Sequence, residues 1–125
     1  MGRVVDWGDR ERRLTPSVSV LVGDDGGRYP SGNSLVVRGR GEAVIIDPSV
    51  TVVAMGGAPV DVDAVILSHS HEDHMAGDGL YSGRRLHIHD SEREIALFTA
   101  RIRARASRPY MFRVSTFLSR WMRWG

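Results

Sequence analysis

Apolar residues along this chain fall mainly in short runs with a period of two, the spacing of β-strands rather than of helices. "RVVDW" (3–7) and "SVSVLVG" (17–23) come first, the second with apolar residues at 18, 20 and 22. "GDDGGRYPSGN" (23–33) is dense in Gly, Asp and Pro and reads as the connecting loop. "SLVVRGRGEAVIID" (34–47) reads as a strand, a turn at Gly39-Arg40-Gly41 and a second strand. "TVVAM" (51–55) is predicted as a further strand, closed by a Gly-Gly-Ala-Pro break. "DAVILSHS" (63–70) differs: its apolar run is continuous and stops abruptly in polar residues, the mark of a buried strand that delivers a loop. "RRLHIHD" (84–90) returns to alternation, with His87 and His89 on one face.

Helical signals come late. A short helix is expected near 75–81. Ser91, with Glu94 three residues on, forms a capping box that opens a helix across "EREIALFTARIRAR", and Pro109 ends it. The last segment places apolar residues at 110, 114, 117, 118 and 121, a helical stripe interleaved with Arg113, Arg120 and Arg123. Strands early and helices late predict an α/β layered domain, a mixed sheet with helices packed on one face.

Composition narrows the chemistry. The chain is 125 residues long and 42% hydrophobic, which suits one packed domain and excludes wholesale disorder. It has no cysteine, so a metal would have to be held by histidine and carboxylate, and no disulfide can form. "MGRVVDWGDRERR" has no apolar stretch before its charges, Asp6 stands where a myristoylation signal needs Ser or Thr, and no apolar run approaches the roughly 20 residues of a membrane span. The expected location is the cytoplasm. Charge is uneven: residues 1 to 94 hold all 15 acids and 10 arginines, whereas residues 95 to 125 hold seven arginines and no acid. Lysine is absent, as codon bias in a GC-rich genome would produce.

The chemistry concentrates in "SHSHEDHMAG" (68–77), which holds three of the five histidines. Residues two apart in an extended loop project to the same side, so His69 and His71 can converge on one point, with Asp73 and His74 reaching a second after the chain bends. Imidazole and carboxylate at such spacing suit Zn²⁺, and iron or manganese would use similar ligands. A lone histidine is more often a solvated side chain; a cluster placed directly after a buried β run favours metal ligation. "GRG" at 39–41 lacks the spacing of a nucleotide fingerprint, and "GDDGG" lacks the ligand pattern of a calcium loop.

His69-Ser-His71-Glu-Asp73-His74 resembles the H-x-H-x-D-H motif of the metallo-β-lactamase superfamily, and "GNSLVVRGRGEAVIIDPS" (32–49) resembles that family's first motif, a strand pair ending in an aspartate near the metals, here Asp47. Pro48 and Ser49 follow it where the family has a small residue and glycine. The resemblance covers roughly residues 32 to 90. It implies half of an αββα sandwich with a two-metal site at the sheet edge: His69 and His71 on one zinc, Asp73 and His74 on the other. The implied activity is hydrolysis of a small-molecule carbonyl, phosphoryl or thioester centre by a metal-activated hydroxide, with Asp73 orienting or deprotonating the water. Glu72 is then a solvated side chain, and His87 and His89 belong to a strand where no ligand is expected.

Three further ligands that the resemblance implies have no counterpart, since no histidine follows His89 and no acid follows Glu94. The expected organisation is a truncated domain over 1–106 and a basic amphipathic tail over 107–125, of frame-shifted or otherwise non-family origin. The alternative is a non-catalytic remnant that binds one metal or none. Contact of the tail with an anionic membrane or a nucleic acid is the minor reading. Half a sandwich leaves a sheet face uncovered, so self-association is expected.

Overall fold

The computed structural model describes residues 4–69 and 71–94. The helix expected after Ser91 and the tail of 107–125 fall outside the described residues, apart from the start of the former. Six strands form one sheet in chain order: β1 (Glu11–Arg13), β2 (Val18–Leu21), β3 (Ser34–Arg38), β4 (Ala43–Ile46), β5 (Ala64–Leu67) and β6 (Arg85–Ile88). Pairing is antiparallel from β1 to β4 and parallel from β4 to β6. The β3–β4 hairpin closes on a 2.7 Å bond from Gly39 N to Glu42 O, which places "GRG" in the turn as expected. The parallel pairs need crossovers; α1 (Val50–Met55) lies in the first, and α2 (Glu72–Met75) with a 3₁₀ segment (Ala76–Tyr81) lies in the second.

Register explains where the core sits. Ser19, Val36, Ile45, Val65 and Leu86 form one row across five strands, and each is at most 1% exposed. Leu21, Leu67 and Ile88 join the same core, closed from above by Val52, Ala58, Val62, Met75 and Tyr81. The apolar set at 18, 20 and 22 lies on the less buried side of β2, because the neighbouring strands dictate that Ser19 and Leu21 face inward. Ser19 is tolerable there because its hydroxyl accepts from Arg38 Nη1 at 3.1 Å.

Two expected elements differ. Residues 51–55 are helical, not a strand. Ser49 caps α1 by accepting from Val52 N, and Gly56, at φ 89°, receives the chain in the left-handed region that ends it, so the two caps outweigh the β-preference of Val-Val. Residues 4–7 do not join the sheet: Val5 N donates to Ala58 O at 2.9 Å and the Trp7 ring is buried, its Nε1 donating to Gly57 O at 2.9 Å. The edge strand is instead the charged "ERR" of β1, tied to β3 by Arg38 Nη2 donating to Glu11 Oε1 at 2.6 Å; charge on an edge discourages further pairing. A 3₁₀ turn (Asp90–Glu92) follows β6, capped by His89, whose ring accepts from Ser91 N. No helix among the described residues is long and apolar enough to cross a membrane.

Candidate metal centre

The parallel pairing of β4 with β5 sets Asp47 beside Ser68 at the carboxyl ends of the strands, the edge at which open α/β sheets bind ligands. Asp47 has φ 54°, a left-handed conformation uncommon outside glycine, and four bonds hold it there. Its N–H donates to Ile66 O at 2.9 Å, and its carbonyl accepts from Ser34 Oγ at 2.6 Å. Its Oδ1 accepts from Ser68 N at 2.7 Å, and its Oδ2 from Ser68 Oγ at 2.5 Å.

The histidines gather on that carboxylate. His69 Nδ1 lies 2.8 Å from Ser68 Oγ. The His69 ring packs against His74, with centroids 4.2 Å apart, and meets His71 edge-on at 4.6 Å. His74 sits on α2, with Nδ1 3.3 Å from Asp47 Oδ2 and Nε2 3.4 Å from Asp73 Oδ2. Asp47, His69 and His74 each offer a donor atom within 4.8 Å of the others. Asp73, only 8% exposed, adjoins His74, whereas His71 is exposed and, among the described residues, meets the group through the His69 ring.

The donors fit a divalent cation. With zinc bonds of 2.0–2.1 Å the edge of a ligand tetrahedron is about 3.3–3.4 Å; His74 shows this separation from Nδ1 to Asp47 and from Nε2 to Asp73, and one metal would use one of these two pairs. His74 Nδ1 is buried and makes no hydrogen bond, and among the described residues neither Asp47 nor Asp73 pairs with an arginine. Buried carboxylates without a cation are costly, which a bound metal would relieve.

Two backbone approaches keep the loop in place. Gly77 N donates to Pro48 O at 2.7 Å, and a Cβ on Gly77 would stand 2.8 Å from Pro48 Cβ. Gly32, at φ 72°, passes so close that a Cβ there would lie 3.2 Å from Asp73 O. His87 is exposed on β6, and His89 is exposed with its Nδ1 engaged by Ser91. Neither His87 nor His89 belongs to the donor group. Ser68 is the participant that sequence reasoning missed; its only signal was its position as the first residue after a buried strand.

A family model described as the metallo-beta-lactamase superfamily matches residues 15–109. Among solved structures, a beta-lactamase domain protein from Burkholderia ambifaria is 19% identical with a TM-score of 0.55, covering 78% of this chain and 37% of its own. The DIM-1 metallo-beta-lactamase, in a crystal exposed to ceftazidime, is 20% identical with a TM-score of 0.53, covering 72% of this chain and 47% of its own. The metallo-beta-lactamase FIM-1 from Pseudomonas aeruginosa, in its mono-zinc form, is 14% identical with a TM-score of 0.50, covering 75% and 46%. At these identities the likeness is one of fold, and the chain spans less than half the length of each of these three structures. A search of curated proteins returned no match.

Proposed function

The chain belongs to the metallo-beta-lactamase superfamily, and from that premise we propose that it carries the first ligands of a zinc-dependent hydrolase centre. The observation that supports this is the meeting of Asp47, His69 and His74 at the carboxyl ends of β4 and β5, with Asp73 beside them. His69, His71, Asp73 and His74 are the proposed metal ligands. Zinc is the expected ion for imidazole with carboxylate, although iron and manganese take similar donors. When bound, the metal supplies an acidified water and charge to stabilise an oxyanion at a carbonyl, phosphoryl or thioester centre.

The chain's own residues orient that chemistry. Asp73 is buried, with Oδ2 3.4 Å from His74 Nε2, and is the group placed to take or return a proton. Asp47 fixes the turn that joins β4 to the site. Any donor beyond these would be water or a further group, and neither histidine nor acid follows Glu94.

The test is zinc binding by the chelator-stripped chain, followed by hydrolysis of a p-nitrophenyl ester and of bis(p-nitrophenyl) phosphate. Stoichiometric zinc with turnover, both lost in His69→Ala/His74→Ala, supports the hydrolase. Zinc without turnover supports the second reading, a metal-binding chain that does not catalyse. No zinc uptake removes both.

A further inference from the structure

Resting on the metal-centre reading, we propose that Ser68 is a positioning residue whose hydroxyl relays the Asp47 carboxylate to His69 and fixes which ring nitrogen of His69 is free for the metal. The argument is one of proton count. A serine hydroxyl has one proton to donate, whereas its oxygen can accept. Among the described residues Ser68 Oγ has two hydrogen-bonding neighbours: Asp47 Oδ2 at 2.5 Å and His69 Nδ1 at 2.8 Å. An ionised carboxylate only accepts, so the hydroxyl proton goes to Asp47. The Ser68 oxygen must then accept from His69, which places the imidazole proton on Nδ1 and leaves Nε2 with its lone pair. Metal-binding histidines are commonly set in this way, by a partner on the nitrogen that does not bind.

The relay is anchored at both ends by the sheet. Ser68 follows β5 directly, and its backbone N–H grips Asp47 Oδ1 at 2.7 Å, so the residue holds both carboxylate oxygens. Asp47 is in turn locked by Ile66 O and Ser34 Oγ at an uncommon positive φ. That conformation aims the carboxylate at β5 rather than along β4. The side chain of Ser68 is thus the only described hydrogen-bond partner of the His69 ring, and its loss leaves the two tautomers free to interchange.

The experiment compares the full chain with Ser68→Ala and Ser68→Thr, which removes and keeps the hydroxyl. Two readouts are taken: the ¹⁵N shifts of the His69 ring in the metal-free protein, and zinc affinity by competition with a chromophoric chelator. The parent and Ser68→Thr are expected to show the Nδ1–H form. Ser68→Ala is expected to show mixed tautomers and to bind zinc about 10–100-fold more weakly. An unchanged tautomer in Ser68→Ala would overturn the relay, as would an affinity loss in Ser68→Thr equal to that of Ser68→Ala. The ring shifts read the relay without metal, so a parent chain that binds no zinc would defeat the metal centre while leaving the relay decided on its own.

Discussion

Asp73 and His74 are consecutive residues on α2, yet their polar atoms turn toward one another, with Oδ2 and Nε2 3.4 Å apart. Two protein ligands on one zinc stand at about that separation. Replacing either is therefore expected to weaken zinc binding by more than the roughly 100-fold upper range for a supporting residue. His87→Ala, on the exposed face of β6, should leave affinity unchanged. Chelator competition on the three variants checks this, and equal losses in all three would show a general effect on folding instead.

Gly32 links the loop before β3 to the metal centre by proximity alone. At φ 72°, with Ser49 Cβ 3.1 Å and Asp73 O 3.2 Å from the place of a Cβ, Gly32→Ala meets both backbone strain and crowding. A loss of about 1–3 kcal/mol is expected, together with weaker zinc binding as the Asp73 backbone gives way. Gly41→Ala is the control: nothing lies within 4 Å of its Cβ position, so chemical denaturation should find it neutral or slightly stabilised. Equal midpoints for the two variants would contradict the close approach.

What was legible in the sequence was whatever rests on local pattern. β5 shows as an unbroken apolar run, β3 and β4 show as a hairpin, and the spacing from His69 to His74 marks the cluster whose His69 and His74 meet Asp47. The segment after Pro48 was misread because "TVVAM" has strand composition, while its fate is decided by Ser49 and Gly56 at its ends. The burial of Trp7 was invisible because the partner of its ring, Gly57, lies 50 residues away, next to Ala58, the partner of Val5. The same distance effect hid Ser68. A serine beside a histidine means little until parallel pairing of β4 with β5 brings Asp47 against it.

Tyr81 gives the fold a pH limit on the alkaline side. Burial pushes its phenol up from 10.0 to about 12, and the Asp61 charge adds to this, while contact with the Ala58 backbone opposes both. The raised value means that the fold favours the protonated phenol. Above pH 10 the unfolded chain releases this proton while the folded one retains it, so stability falls from pH 10 until pH 12 is passed. Two pH units at about 1.4 kcal/mol each bound the loss at roughly 3 kcal/mol. Tyr81→Phe should flatten that decline, measured by urea unfolding at pH 9 to 12. A decline of the same slope in the variant would assign it to other groups.

Trp7 pins the N-terminal segment against the α1–β5 crossover, and its 3% exposure makes it part of the core rather than of the surface. Two contributions can be separated. Trp7→Ala loses the ring packing and the bond to Gly57 O, for which about 3–5 kcal/mol is expected. Trp7→Phe keeps much of the packing but leaves the buried Gly57 carbonyl without its donor, a cost of about 1–3 kcal/mol. A single domain of this kind has about 5–15 kcal/mol in all, so Trp7→Ala should approach the limit of folding. Urea midpoints at unchanged slope test the order. If Trp7→Phe were as damaging as Trp7→Ala, the hydrogen bond to Gly57 would outweigh the packing; if both were neutral, residues 4–7 would not be held against the crossover at all.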